Sequence, residues 1–453
     1  MSEPKTVLFV VMAERSAASA TLTLAKRLTG LGYRVLFTGP QHELFDDRIY
    51  GDPALLQPYL AAQGLAYEPL PSTPFTAPAT RSRRRARRAE IRHHRRDMAL
   101  MAARLGSLLA EIRPAVVVLD SVVWRYAGEA ARLGIPVVNF NTSLTRAYNP
   151  SVPPAFTGLR FDDRPHPVRY RLAWADRLIR ARHWEQVRPR IWPWSLGLLP
   201  VRSTIRRLRQ LGTRIVWTEY GPRPVAPELV AAPRELDFPV RRETGNTRVY
   251  VGSCVDVDRR DEPFDWAFVP PDGLVLYCSM GTYSAEYPPA ERLFGVVIEA
   301  ARRLGCTTVI QAHIEPPAGL PENVQVVRAV PQLEALSRAH VFITHGGLSS
   351  LREACYFGVP MVVFPGWNDQ PGNGARVEYH GLGLVGDAAT VDVATMVKMI
   401  DEVRGPAFAA ATARMREVFR AKADCAEGVD FLVAMAGRDG RDPSVLASLD
   451  LGQ

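Results

Sequence analysis

Residues 341–370 read VFITHGGLSSLREACYFGVPMVVFPGWNDQ and gather several groups able to hold a polar ligand. The apolar run VFIT leads straight into His345, Gly346, Gly347, Leu348, Ser349 and Ser350, and a helical pattern follows. Glycines at such a turn permit positive φ and let a ligand lie against the backbone. The unpaired amides of the first helical turn, with the helix dipole behind them, attract an anion such as phosphate. His345 can add a hydrogen bond to that anion, as a neutral donor or more strongly when protonated. Glu353, one turn into the helix, can accept hydrogen bonds from a ribose; equally, Ser350 and Glu353 have the spacing of a capping box. Asp369 and Gln370 follow the next apolar run and set a carboxylate beside an amide. That pairing suits a polyhydroxyl group, with an ordinary surface turn as the alternative. An earlier strand ends at Ser279-Met280-Gly281-Thr282, a second small-residue turn able to approach phosphates from the other side. No GxxxxGK[ST] run and no acidic cluster calls for a metal.

These residues need a scaffold that brings strand ends together. Apolar runs at 6–12, 33–38, 114–120 and 135–140 alternate with helical patterns at 19–30 and 122–133. The alternation restarts with strands at 274–280, 307–311, 324–327, 341–344 and 360–364 and helices at 289–304, 332–338 and 350–357. Continuous apolar strands separated by helices predict parallel sheets covered on both faces. The expected fold is α/β, two doubly wound Rossmann-like domains in series. Residues 1–245 form the first domain and include a basic insertion at 81–96. A proline- and charge-rich linker spans 246–272, the second domain 273–430, and a tail 431–453 that crosses back to the first domain. Residues 141–215, with Trp174, Trp184, Trp192 and Trp194 among arginines, are the least regular part of the first domain.

The chain has 453 residues and a formal net charge of +9, unevenly divided. Residues 1–250 hold 39 Lys/Arg against 21 Asp/Glu, and the remainder 17 against 26. Nine arginines fall within 81–96. Such a run reads either as a solvated helix or as an attractor for an acidic or phosphorylated partner or an anionic, peripheral membrane surface. No nucleic-acid recognition module accompanies it, so nucleic acid is not expected. Five scattered cysteines without CxxC spacing predict reduced, buried thiols. The lack of a signal-like leader and of any long apolar span predicts a cytoplasmic chain, monomeric or homodimeric.

Together these motifs resemble the nucleotide-sugar-binding signature of the GT-B fold UDP-glycosyltransferase superfamily, in the branch of the antibiotic and macrolide glycosyltransferases. The resemblance is carried by Pro331, Gln332, His345, Gly346, Gly347, Ser350, Glu353, Gly358, Pro360, Pro365, Asp369 and Gln370. YCSMGT (277–282), YVGS (250–253) and LTLAKRL (22–28) add shorter echoes. It implies two domains facing across a cleft and a UDP- or dTDP-sugar as donor substrate, with no other cofactor. It further implies inversion at the anomeric carbon without metal, and a small-molecule acceptor held by the first domain. By the same resemblance His345 and the turn Gly347–Ser350 meet the diphosphate. Glu353 holds the ribose, Gln332 lies near the base, and Asp369 and Gln370 bind the sugar. Relatives often stack an aromatic residue on the base where this chain has Ala329, so UDP and dTDP both remain open.

The acceptor side departs from the resemblance. An acceptor hydroxyl needs a base as it attacks, and the superfamily uses a histidine in a G-H-x-x-P turn, oriented by an aspartate. Alignment through LTLAKRL puts Ser16, Ala17 and Ala20 at the glycine, histidine and proline of that turn. Asp120, after PAVVVLD, stands where the aspartate is expected, with an N-cap role as its alternative. Three accounts compete: Asp120 or Glu14 is the base, the acceptor is already anionic (phosphorylated or lipid-linked), or the chain binds a nucleotide sugar without transferring it. The first predicts an inverting glycosyltransferase acting on a natural-product acceptor.

Overall fold

The computed structural model describes residues 4–40, 43–45, 48–50, 53–71, 83–162, 167–191, 199–219, 221–240, 247–281, 289–314, 316–317 and 319–437. Thr6–Val10 and Val116–Asp120 are strands buried at every position. Alternate residues face opposite sides of the sheet. Val7 and Phe9 pack with Leu24, Leu28 and Leu432, whereas Leu8 and Val10 pack with Met101, Leu105 and Leu109. Both faces are therefore covered, and this is why the runs are apolar without alternation.

The first sheet has seven parallel strands in the order Arg248–Tyr250, Glu228–Val230, Val137–Asn141, Val116–Asp120, Thr6–Val10, Arg34–Gly39 and Ala66–Pro69. The second has six, also parallel: Val324–Val327, Thr307–Gln311, Val275–Ser279, Val341–Thr344, Met361–Val363 and Gly383–Val385. The chain is thus two doubly wound α/β domains. Among the described residues no helix is long and apolar enough to cross a membrane. All five cysteines are free and buried.

Three local features differ from expectation. The helix expected over 19–30 divides into Arg15–Ser19 and Leu22–Gly30. At the break the Thr21 hydroxyl donates to the Ala18 carbonyl at 2.7 Å, a local bond that competes with helix continuation. The first sheet runs on to Tyr250, past residue 245, because Arg248–Tyr250 pairs with Glu228–Val230 as an edge strand. The return to the first domain begins before residue 431, with helix Ala426–Ala436. Its Val429, Phe431 and Leu432 enter the core beneath Leu24 and Leu28, and Lys5 Nζ caps Ala436 O at 2.9 Å.

The domains also meet directly. Asp237, from the first domain, is ion-paired with Arg146 and with Arg376 of the second, the latter at 2.7 Å, and all three are buried. Burial opposes ionisation of Asp237, but the surrounding Arg146, Arg376 and Arg248 outweigh it and hold the carboxyl far below the usual range. Beside this triad Gly372 lies so close to the Ala155 backbone that a Cβ would come within 2.7 Å of its carbonyl carbon. This interface fixes helix Gln370–Tyr379, and with it Asp369 and Gln370, against the first domain.

Candidate functional site

A cleft of about 390 Å³ lies between the domains and is lined by both. Its walls follow the carboxyl ends of Thr6–Val10 and Val116–Asp120 in one sheet and of Val275–Ser279 and Val341–Thr344 in the other. These adjacent strand pairs bracket the points where strand order reverses, the crevices in which open α/β sheets hold ligands.

On the first wall Glu14 precedes the short helix Arg15–Ser19, and its Oε2 accepts from Ser16 Oγ at 3.3 Å. Ala17 faces the cleft on the same turn. Asp120 N-caps the 3₁₀ stretch Ser121–Tyr126, which is kinked at Val123, by accepting from the Val122 amide at 2.9 Å, so the capping alternative is realised. It nevertheless contributes to the cleft wall. Burial raises the Glu14 pKa to about 7, against the Ser16 hydrogen bond and with the charge of Asp120 adding to it. Burial likewise raises Asp120 to about 6, against the amide bond from Val122 and the charge of Arg223. The wall that lacks a histidine holds two carboxyls that titrate near neutrality.

On the second wall the His345 ring is sandwiched between two glycines. A Cβ on Gly281 would stand 2.6 Å from its Cε1, and one on Gly347 2.5 Å from its Nε2. Gly281, at φ +79°, also needs a conformation that favours glycine. Burial lowers the His345 pKa to about 4, against a hydrogen bond to the Ser279 backbone, so at neutral pH the ring is an uncharged donor. Helix Leu348–Phe357 starts at Gly347, which caps it without a side chain. Ser350 therefore lies inside the first turn, and the capping box with Glu353 does not form. Glu353 instead points into the cleft, where Oε2 accepts from Gln332 Nε2 at 2.5 Å and Oε1 pairs with Arg259 Nη1.

The other expected residues divide clearly. Leu348, Ser349 and Ser350 line the cleft with Gly347. The Ser349 hydroxyl accepts from Arg352 at 3.1 Å. Asp369 accepts from Asn373 Nδ2 at 2.9 Å, and the same amide reaches Gly346 O at 2.9 Å, which ties the two loops together. Gln370 Oε1 accepts from the Gly366 and Trp367 amides at 2.8 and 3.2 Å, so its carbonyl shapes the turn. Thr282 lies outside the described residues, as do the side chains of Trp184, Trp192 and Trp194. Trp174 is fully buried and donates to Val152 O at 2.9 Å, a packing role away from the cleft.

Sequence reasoning missed Arg15, Tyr59, Arg259, Asp261 and Trp367, all on the cleft. Arg259 Nε pairs with Asp261 at 2.8 Å, and Arg15 Nη2 reaches the other Asp261 oxygen at 3.1 Å. Arg15 also lies over the Tyr59 ring, 4.7 Å from its centroid. The alternating charges of DRRDE (258–262) were the available signal, but they sit in a stretch that reads as linker. Among the described lining residues five carboxyls (Glu14, Asp120, Asp261, Glu353, Asp369) face two guanidiniums, and no described residue of the 81–96 run lines the cleft. No described group of three or more His, Cys, Asp or Glu is arranged to hold a metal ion.

Residues 297–435 match the family described as erythromycin biosynthesis protein CIII-like, C-terminal domain. The uncharacterized UDP-glucosyltransferase YdhE of Bacillus subtilis (strain 168) is 33% identical over 161 residues, 34% of this chain and 40% of that relative. The NDP-glycosyltransferase YjiC of the same organism is 29% identical over 185 residues, 40% of this chain and 45% of that relative. The chain thus matches less than half the length of these relatives. Among solved structures, the glycotransferase of kitacinnamycin superposes with a TM-score of 0.67 at 23% identity, covering 96% of this chain and 100% of that one. The glycosyltransferase VinC in complex with dTDP does so with a TM-score of 0.62 at 18% identity, over 96% and 100%. The chain has the GT-B fold, and residues 297–435 of its second domain are similar to the erythromycin biosynthesis protein CIII-like C-terminal domain.

Proposed function

We propose that the chain is an inverting glycosyltransferase that moves a sugar from a UDP- or dTDP-sugar to a small natural-product acceptor. The observation that carries this reading is the cleft, which joins the turn Gly347–Ser350, Glu353 and Asp369 to the two near-neutral carboxyls Glu14 and Asp120. In this reading the amides of Gly347–Ser350 and the neutral His345 hold the diphosphate, Glu353 the ribose, and Asp369 with Gln370 the sugar hydroxyls. Those amides also stabilise the charge that develops as the glycosyl–phosphate bond breaks.

Glu14 is the better base of the two. A general base works best with a pKa near the operating pH, and Glu14 titrates at about 7. Asp120 is 1% exposed, with one oxygen committed to the Val122 amide. The acceptor oxygen attacks the anomeric carbon, its proton passes to Glu14, and the nucleoside diphosphate leaves with the electron pair of the broken bond. Asp120 raises the basicity of Glu14 through its charge. The acid-rich lining favours a neutral acceptor over a phosphorylated one. Mass spectrometric screening of UDP- and dTDP-sugars with candidate acceptors tests the reading. Turnover that disappears in Asp369→Ala supports it, and a chain that binds nucleotide sugar but never cleaves it refutes transfer.

A further inference from the structure

The segment that joins the domains carries a side chain into the donor half of the cleft. Its backbone belongs with the first domain: Asp256 pairs with Lys26 at 2.5 Å, and the Gln63 amide exchanges two hydrogen bonds of 2.9 Å with the backbone of Arg260. From this anchored stretch Arg259 reaches Glu353 on the second domain. Arg259 is itself held by Asp261, and Asp261 by Arg15, the neighbour of Glu14. The alternating chain Glu353–Arg259–Asp261–Arg15 thus runs from one wall to the other, with side-chain exposures of 6, 9 and 13% for its first three members.

Buried ion pairs are weak devices for stability, because desolvation offsets most of the attraction. They are effective at fixing orientation. A carboxylate offers about four acceptor positions. In Glu353 one position on each oxygen is taken, by Arg259 and by Gln332. The remaining positions, held at a fixed angle, suit the vicinal hydroxyls of a ribose or the single hydroxyl of a 2′-deoxyribose.

We propose that Arg259, backed by Asp261, is a positioning residue of the donor site that holds the Glu353 carboxylate oriented for the nucleotide's sugar. The inference rests on the reading of Glu353 as the ribose ligand. Through it the donor site is complete only when the linker is seated on the first domain, so nucleotide affinity depends on residues outside the second domain.

Calorimetric titration of the full chain with UDP and with dTDP tests this, alongside donor KM and kcat wherever turnover is found. Arg259→Ala is expected to weaken nucleotide binding about tenfold, the scale of a hydrogen bond to a charged group. Donor KM should rise in step while kcat changes little, and Arg259→Lys should recover part of the loss. A purely structural role would lower thermal stability and leave the affinity of the folded fraction unchanged, and that result overturns the proposal. Should Arg259→Ala not fold, Asp261→Asn is expected to weaken nucleotide binding in the same direction, and wild-type affinity there overturns it equally. Glu353→Gln separates the two levels. If it weakens binding and Arg259→Ala does not, only the positioning role fails. If neither variant affects binding, the ribose reading fails and takes the inference with it.

Discussion

The negative charge of Asp120 opposes ionisation of Glu14 on the first wall of the cleft, adding to the larger effect of burial. Two carboxyls with pKa values of about 7 and about 6 thus line the wall on which the resemblance leads one to expect a histidine and an aspartate. With alanine at position 17, the wall is still able to take up a proton near neutral pH.

That relationship predicts a pH profile. If Glu14 is the base, kcat/KM should fall about tenfold per unit below pH 7 and level off above it. Asp120→Asn removes the opposing charge, so the limb should move to lower pH. A profile that stays put in Asp120→Asn would show that the titrating group lies elsewhere.

His345 predicts a contrast. Its pKa of about 4 leaves it neutral across the physiological range. Binding of UDP or dTDP should therefore vary little between pH 5.5 and 8 on its account, as isothermal titration can show. The same depression affects stability. The unfolded chain takes up a proton below about 6.5 that the native ring refuses, so the His345 contribution is full above pH 6.5 and is lost as pH falls toward 4. Replacement by Asn should flatten that part of the stability curve.

At the domain interface, Asp237→Asn leaves Arg146 and Arg376 buried without their shared counter-charge. Removing one partner of a buried pair costs about 3–5 kcal/mol, and chemical denaturation should reveal a loss of that size. A loss below about 1 kcal/mol would mean that water reaches the triad.

Gly281→Ala combines two penalties, a backbone at φ +79° and a Cβ that would press on the His345 ring. Strain of this kind costs about 1–3 kcal/mol. The melting temperature should fall and donor KM rise, because the ring must move. Unchanged donor binding would place His345 outside the donor contacts.

The buried parallel strands were legible because runs such as TVLFV and VVVLD have no solvent face to interrupt them. The strand-to-helix turn at 345–350 was legible because glycine, histidine and serine fall within a few residues of a strand end. Edge strands of three residues, such as Arg248–Tyr250 and Gly383–Val385, were too short to show a period. Arg259 and Asp261 were hidden for another reason. Their partners lie 94 and 246 residues away in the chain, so only the fold reveals them as part of the cleft wall. The capping-box alternative for Glu353 failed because the helix begins at Gly347, three residues earlier than that box requires.

The most direct measurement is the rate at which the chain and its Glu14→Gln variant cleave the sugar–diphosphate bond of UDP- and dTDP-sugars in the presence of an acceptor. The account predicts transfer by the wild type and a loss of about 100-fold or more in Glu14→Gln, with nucleotide affinity retained. Transfer by Glu14→Gln at the wild-type rate would contradict it.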